Sequence, residues 1–285
     1  MYASPVPASR RRIWRSRATM RLRKRRPAMS LLPSMSISRT TWRLQLRDPG
    51  SSVIMTLLPL ILVPLLNPSA KAQLILSGYP NASGAEQTVP GLAILCAFLS
   101  VEQVTTLFFR EHAWGTWDRL RASAASTADI VTGKVVVRFL IQLAQTAIVF
   151  AVGALIFGYR PNGSVLAIGI VVIVFTAMLV AFGVMLVALF RTMDQADTVG
   201  MLVGMLLAGL GGALAPVASF PGWVQSLAHV SPAFWVLDAL RRLTLDSAHL
   251  TDVMPAIIGT LAFTAGFALI AAVSFRSNAV KVGTT

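Results

Sequence analysis

The chain has 285 residues, of which 55% are hydrophobic and only 13% charged, with a positive mean hydropathy. A composition this apolar at this length excludes an ordinary soluble globule and makes the bilayer the main solvent. The formal charge of +14 suggests nucleic acid at first sight, but ten of the 25 basic residues fall between Arg10 and Arg26. Without them 15 basic residues face 11 acidic ones, so the excess belongs to a tail and no nucleic-acid partner is expected.

That tail, RRRIWRSRATMRLRKRR, is followed by no apolar run of ~7 to 15 residues before Pro33, which argues against a cleaved signal. It reads either as a self-repelling segment held to anionic lipid or as a start assigned upstream of Met20, Met29 or Met35. Residues 1–36 are taken as a basic tail without a function. Residues 37–47 then alternate Trp42, Leu44 and Leu46 with Arg39, Arg43 and Arg47. Tryptophan among arginines beside a span suits a helix in the headgroup layer, and a plain basic linker fits as well.

A helix needs about 20 apolar residues to cross ~30 Å of hydrocarbon, and six segments approach that length. They are 51–68, 88–109, 135–158, 164–190, 198–217 and 255–275. The first is short and carries Pro59 and Pro64, which remove backbone donors. Six crossings put both termini on one side. With the termini inside, the inner segments hold 20 Lys and Arg and the outer loops hold four, Lys71, Arg160, Arg241 and Arg242. Without the tail the ratio is still ten to four, so the termini are expected in the cytoplasm.

Two ionisable residues fall inside spans, Glu102 in the second and Arg138 in the third. Charge in hydrocarbon is costly, so they read as an ion pair or snorkelling groups, or else as a substrate or proton site. The single cysteine, Cys96, lies in an apolar run and leaves neither a disulfide framework nor a Cys-based zinc site.

Between the second and third spans lies REHAWGTWDRLRASAASTADIVTGK, residues 110–134. On a helix Trp114, Trp117 and Leu120 share one side while Glu111, Asp118 and Arg119 point largely elsewhere. Such a segment can dock a partner on the inner surface, or it can be a solvated loop with interfacial tryptophans. The next inner connection, 191–197, is short and polar. In the fifth span Gly200, Gly204, Ala208 and Gly212 recur every four residues, a smooth strip for close packing within the chain or between subunits.

The outer segment 219–243 is too apolar for a plain loop. Pro221, followed by Gly222 and Trp223, can open one short helix, and Ser231-Pro232 breaks the chain before a second with Asp238 and Arg242 at i, i+4. No GxxxxGK[ST], HExxH or GxSxG sequence occurs, so nucleotide binding by a Walker motif, zinc proteolysis and serine hydrolysis have no support, and no metal or catalytic residue is assigned.

The order Glu111, Gly115-Thr116, Asp118, Arg119-Leu120, Ser123 with Ser126, then Gly133-Lys134 resembles the first cytoplasmic loop of type-2 ATP-binding-cassette (ABC) permeases, in their drug-exporter, daunorubicin-resistance-type branch. His112 and Ala124 depart from that pattern, where relatives often carry a basic residue and a proline. The Phe-Pro-Gly-Trp at 220–223, the later Ser-Pro and the closing Arg241 resemble the family's outer re-entrant helical pair. The resemblance covers roughly 37–278, with 279–285 a short cytoplasmic tail. It implies an all-α integral membrane protein of six transmembrane helices with an N-terminal interfacial helix, a cytoplasmic coupling helix and an outer re-entrant pair. The coupling residues would be Glu111, Trp114, Gly115, Thr116, Asp118 and Arg119. The implied function is the permease subunit of a prokaryotic inner-membrane exporter of an amphiphilic drug or lipid. It would pair with a second or paralogous permease and with ATP-binding subunits holding ATP and Mg. An ATP-independent transporter or channel, or a membrane scaffold, is the alternative.

Overall fold

The computed structural model describes residues 31–113 and 127–274. Trp114, Gly115, Thr116, Asp118 and Arg119 lie outside the described residues, as do 1–30 and 275–285. Every regular element described is a helix: α1 Leu31–Arg47, α2 Gly50–Leu76, α3 Ala85–Leu99, α4 Glu102–Ala113, α5 Thr127–Ile156, α6 Val165–Leu189, α7 Met193–Leu210, α8 Gly222–Ala228, α9 Pro232–Leu245 and α10 Met254–Ser274, with a single 3-10 turn, Val217–Ser219.

Among the described residues, five stretches are long and apolar enough to cross a bilayer: Gly50–Leu76, Ala85–Phe109, Asp129–Ile156, Val165–Leu189 and Met254–Ser274. The expected second, fourth and last spans match to within three residues, and the third begins six residues earlier than expected. The first is longer than expected, because α2 runs through Pro59, Pro64 and Pro68 to Leu76. A proline removes one backbone donor, yet neighbouring helices can hold such a helix together. Pro59, Val63, Ala70 and Leu74 are buried along its inner face, while Ile54, Ile61 and Leu65 stand more than half exposed. In water such a surface would aggregate, whereas in a bilayer it faces acyl chains.

The expected span 198–217 is displaced. Its helix, α7, starts five residues earlier, where the Thr192 hydroxyl accepts from the Gln195 amide at 3.4 Å, and stops at Leu210, where Gly212 turns the chain at φ +93°. With Asp194 and Asp197 in its first turns and 18 residues in all, α7 is not among the five. The supposed polar connection at 191–197 is mostly helix.

α3 is the axis of the bundle, buried along nearly its whole length and packed against α2, α5, α7 and α9. The aromatic core forms around it, with Phe98 edge-on to Phe175 at 5.9 Å and to Phe182 at 6.2 Å, and Phe267 of α10 5.3 Å from Phe182. The glycine strip of α7 faces this axis: a Cβ on Gly204 would meet Phe98 at 3.2 Å, and one on Gly200 would meet Leu186 of α6 at 2.7 Å. Ala208 is fully buried, and Gly212 lies in the turn beyond the helix.

Gly84 opens α3 at φ +94°, where a Cβ would stand 2.5 Å from the Asn67 carbonyl oxygen. Gly78 has the same φ but open space around it. Replacing Gly84 by alanine is therefore expected to lower stability by more than the about 1–3 kcal/mol of left-handed backbone strain alone, and Gly78→Ala by no more than that. Thermal unfolding in detergent checks this, and equal losses would remove the proposed α2–α3 contact as the cause.

Candidate functional site

The half of the bundle next to α1 is organised around a cation in an apolar helix. Arg138, only 2% exposed, lies on α5 one turn before Gln142 and two before Gln145, so positions i, i+4 and i+7 make a polar stripe on one face. Its Nη1 donates to Gln103 Oε1 at 2.6 Å, and its Nη2 to Gln142 Oε1 at 2.7 Å and Gln145 Oε1 at 3.4 Å. Ser100, at the break between α3 and α4, offers its hydroxyl at 3.4 Å and its carbonyl at 3.5 Å.

The chain of bonds continues outward. Ser52 on α2 donates to Gln103 Oε1 at 3.1 Å, Gln145 Nε2 donates to the Ser52 carbonyl at 2.8 Å, and Gln45 of α1 donates to the Ser52 hydroxyl at 3.2 Å. One guanidinium thus ties four helices and the α3–α4 break. Glu102 makes no ion pair with Arg138; its side chain is exposed and only its field reaches the guanidinium. The Nε of Arg138 and the Nε2 of Gln103 are buried without a partner, so neutral oxygens carry the whole load.

A second tether lies one turn earlier on α5. Lys134, fully buried, donates to the Leu107 carbonyl at 2.9 Å and sits 4.8 Å above the Phe108 ring. It fastens α5 to α4, the two helices that flank the charged 114–126 segment. Ser38 of α1 also donates to the Gly133 carbonyl at 2.9 Å. Glu111 falls in α4, but its side chain is not among the described groups. The sequence pointed to Arg138 and Gly133-Lys134 but missed Gln142, Gln145, Gln103, Gln45 and Ser52. The Arg-Gln-Gln spacing on α5 was the available signal; for the partners on other helices no local signal exists.

The opposite end of the bundle is a separate construction. Pro221 caps α8, and the Ser231 hydroxyl accepts from the Ala233 amide at 3.1 Å to start α9, with Pro232 at its first position. Ser231 also donates to the Leu207 carbonyl of α7 at 2.5 Å, and Gln87 of α3 to the Gly212 carbonyl at 2.9 Å. Asp238 and Arg242 form an ion pair at 2.8 Å, exposed enough to contribute less than about 1 kcal/mol. Trp223 of α8 is 70% exposed, an aromatic anchor on the rim. Arg241 lines a cleft of about 290 Å³ with Glu86, Gln87 and Asp238.

The end of α9 is bound to the α2–α3 and α5–α6 connections. Tyr79 donates to Asp246 Oδ1 at 2.6 Å, the Tyr159 hydroxyl lies 2.9 Å from Thr244 Oγ1, and the Gly163 amide donates to the Leu243 carbonyl at 2.8 Å. The hydrogen bond to the Asp246 carboxylate holds the Tyr79 phenol above its usual value, and burial pushes Tyr159 up to about 12.

The family model described as ABC-2 type transporter matches residues 35–245, from α1 through the last turn of α9. Among curated proteins the chain is similar to "Probable multidrug ABC transporter permease YbhR" of Escherichia coli (strain K12), 30% identical over 69% of this chain and 54% of that protein. It is similar to "Linearmycin resistance permease protein LnrN" of Bacillus subtilis, 27% identical over 65% of this chain and 48% of that protein. "Probable doxorubicin resistance ABC transporter permease protein DrrC" of Mycobacterium tuberculosis is 24% identical over 67% of this chain and 68% of that protein. The chain thus spans about half the length of the first two.

Two outcomes follow from this geometry. Gln142→Leu should cost about 2–3 kcal/mol by leaving a buried cation short of an acceptor, and Arg138→Met in the same chain should recover most of it, since an apolar replacement leaves no charge to satisfy. Unfolding of the two variants in detergent tests the pair; no recovery in the double variant would contradict it. Separately, the folded chain keeps the Tyr159 proton to about 12 whereas a free phenol loses it near 10.0, so stability should fall as pH rises through that window. Tyr159→Phe should flatten the fall, and an unchanged pH profile in that variant would contradict the assignment.

Proposed function

The chain belongs to the ABC-2 type transporter family, and on that premise we propose that it is the membrane-spanning permease subunit of an ATP-driven exporter. It would act in a prokaryotic inner membrane with both termini cytoplasmic, paired with a second copy or a paralogous permease. Two separate ATP-binding subunits would hold ATP and Mg at its cytoplasmic face. The substrate class is an amphiphile, drug-like or lipid-like, taken from the cytoplasm or inner leaflet. The observation that carries the reading is the family match, which runs unbroken through α1, the charged segment and the outer helical pair. The words multidrug and resistance in the names of the similar proteins agree with export.

α7 supplies the sixth crossing in this proposal. Its first turns meet α4, where Thr105 donates to the Asp197 carboxylate, and its far end meets the start of α3 through Gln87 and Gly212. α7 therefore traverses the depth that the second span covers between Gln87 and Thr105, in the opposite direction. Acidic first turns then stand at the inner surface, where water solvates them.

In the proposed cycle the ATPase pushes on the segment that joins α4 to α5. Lys134 and Arg138 clamp those helices together, so the push moves them as one body and reaches α1 and α2 through Gln45 and Ser52. Coexpression with a Walker-motif ATPase provides the test. Glu111→Ala combined with Gly115→Pro should lower efflux by about tenfold or more, within the usual range of coupling between sites, with insertion unchanged. Intact efflux in that variant, with no ATPase copurifying in mild detergent, would favour a transporter or channel that needs no motor.

A further inference from the structure

A second cleft of about 290 Å³ opens where α1, the start of α2 and α4 meet. Arg47 and Glu102 both line it, both side chains are exposed, and neither forms an ion pair with the other or with any described residue. Leu44 and Leu107 supply apolar wall, and Leu44 is 57% exposed. Gln103, the oxygen hub of the Arg138 cluster, forms part of the boundary.

The charges decide the ligand. A simple anion attracted by Arg47 would meet the Glu102 carboxylate in the same space, while Asp48 already has a partner of its own. A simple cation attracted by Glu102 would meet Arg47, with the Arg138 guanidinium just behind Gln103. Either ion gains one favourable charge and faces a repulsive one, which is how a site rejects the wrong partner. A headgroup carrying both charges satisfies both walls. We infer that this cleft binds a zwitterionic phospholipid of the inner leaflet, its phosphate on Arg47, its ammonium on Glu102, and its first acyl carbons along Leu44 and Leu107.

The position suits that ligand. α1 carries Arg39, Arg43 and Arg47 immediately before the first span, so it lies at the level of lipid headgroups. The volume is at the lower end of small-molecule pockets, enough for a headgroup with its tails left in the bilayer. Through Gln103 and Gln45 the lipid would rest against the same bonds that join α1 to α5. The inference uses the inner placement of α1 but not coupling to an ATPase, so the two fail separately.

The test is native mass spectrometry of the full chain in maltoside detergent, titrated with phosphatidylethanolamine, phosphatidic acid and a dialkylamine of matched chain length. The expected result is a single phosphatidylethanolamine retained per chain, with the other two about tenfold weaker or more, the size of losing one charged hydrogen bond. Arg47→Gln and Glu102→Gln should each weaken retention by about the same factor, while Arg43→Gln should not. Equal retention of phosphatidic acid or of the amine would overturn the zwitterion assignment in the unmodified chain, whether or not the variants fold. Retention unchanged in both variants would overturn it too, and binding of glycerophosphoethanolamine as tight as that of the lipid would show a headgroup site without a lipid.

Discussion

Placing a guanidinium in an apolar helix constrains everything around it. Arg138 cannot lose its charge cheaply or reach water, so the bundle must bring acceptors to it, and acceptors in a membrane are scarce. The fold collects them from α4, α5 and the α3–α4 break, and Gln103 then draws Ser52 and Gln45 into the same bonds. Because each acceptor is neutral, none can be dropped without leaving the cation short. That couples helices whose other contacts are apolar and non-directional. It also explains the break at Ser100, where an uninterrupted helix would carry the hydroxyl and carbonyl elsewhere.

The two ends of the molecule are held by different chemistry. At the end near α1, a buried Lys and a buried Arg clamp α4 to α5 next to the charged segment. At the opposite end, caps and backbone bonds dominate: Ser231 to Leu207, Gln87 to Gly212, Gly163 to Leu243, with two tyrosines closing over the end of α9. A permease of the proposed kind needs an inner surface that moves as a unit and an outer region that opens against it. Between the two ends, α3, α6 and α10 are joined by aromatic packing.

What was legible in the sequence follows the physics that is local. The outer helices were readable because proline and Ser-Pro act through their own backbone, and both begin where those residues stand. Most spans were readable because hydropathy needs no partner. α2 runs past the expected end at 68 because a proline such as Pro59 or Pro64 costs only a backbone donor, while Pro59, Val63, Ala70 and Leu74 are buried along the helix and hold it through them. α7 was misplaced because its first turns carry two aspartates, although Thr192 followed by Gln195 has the form of a capping pair. The Arg138 site was half visible. Its charge and the glutamines at four and seven residues are local, but Ser52, Gln45 and Gln103 arrive only through tertiary packing, and Glu102 was a natural partner on charge alone until the fold turned it outward.

The central claim is that the Arg138 bonds, and not apolar contact alone, fasten α1 and α2 to α5. Hydrogen–deuterium exchange of the Arg138→Met chain in detergent or nanodiscs measures this directly. If those bonds do the fastening, exchange quickens across residues 38–56 and 100–104 while the end of α9 keeps its protection. Exchange that quickens only within α5, or equally along the whole chain, would contradict it.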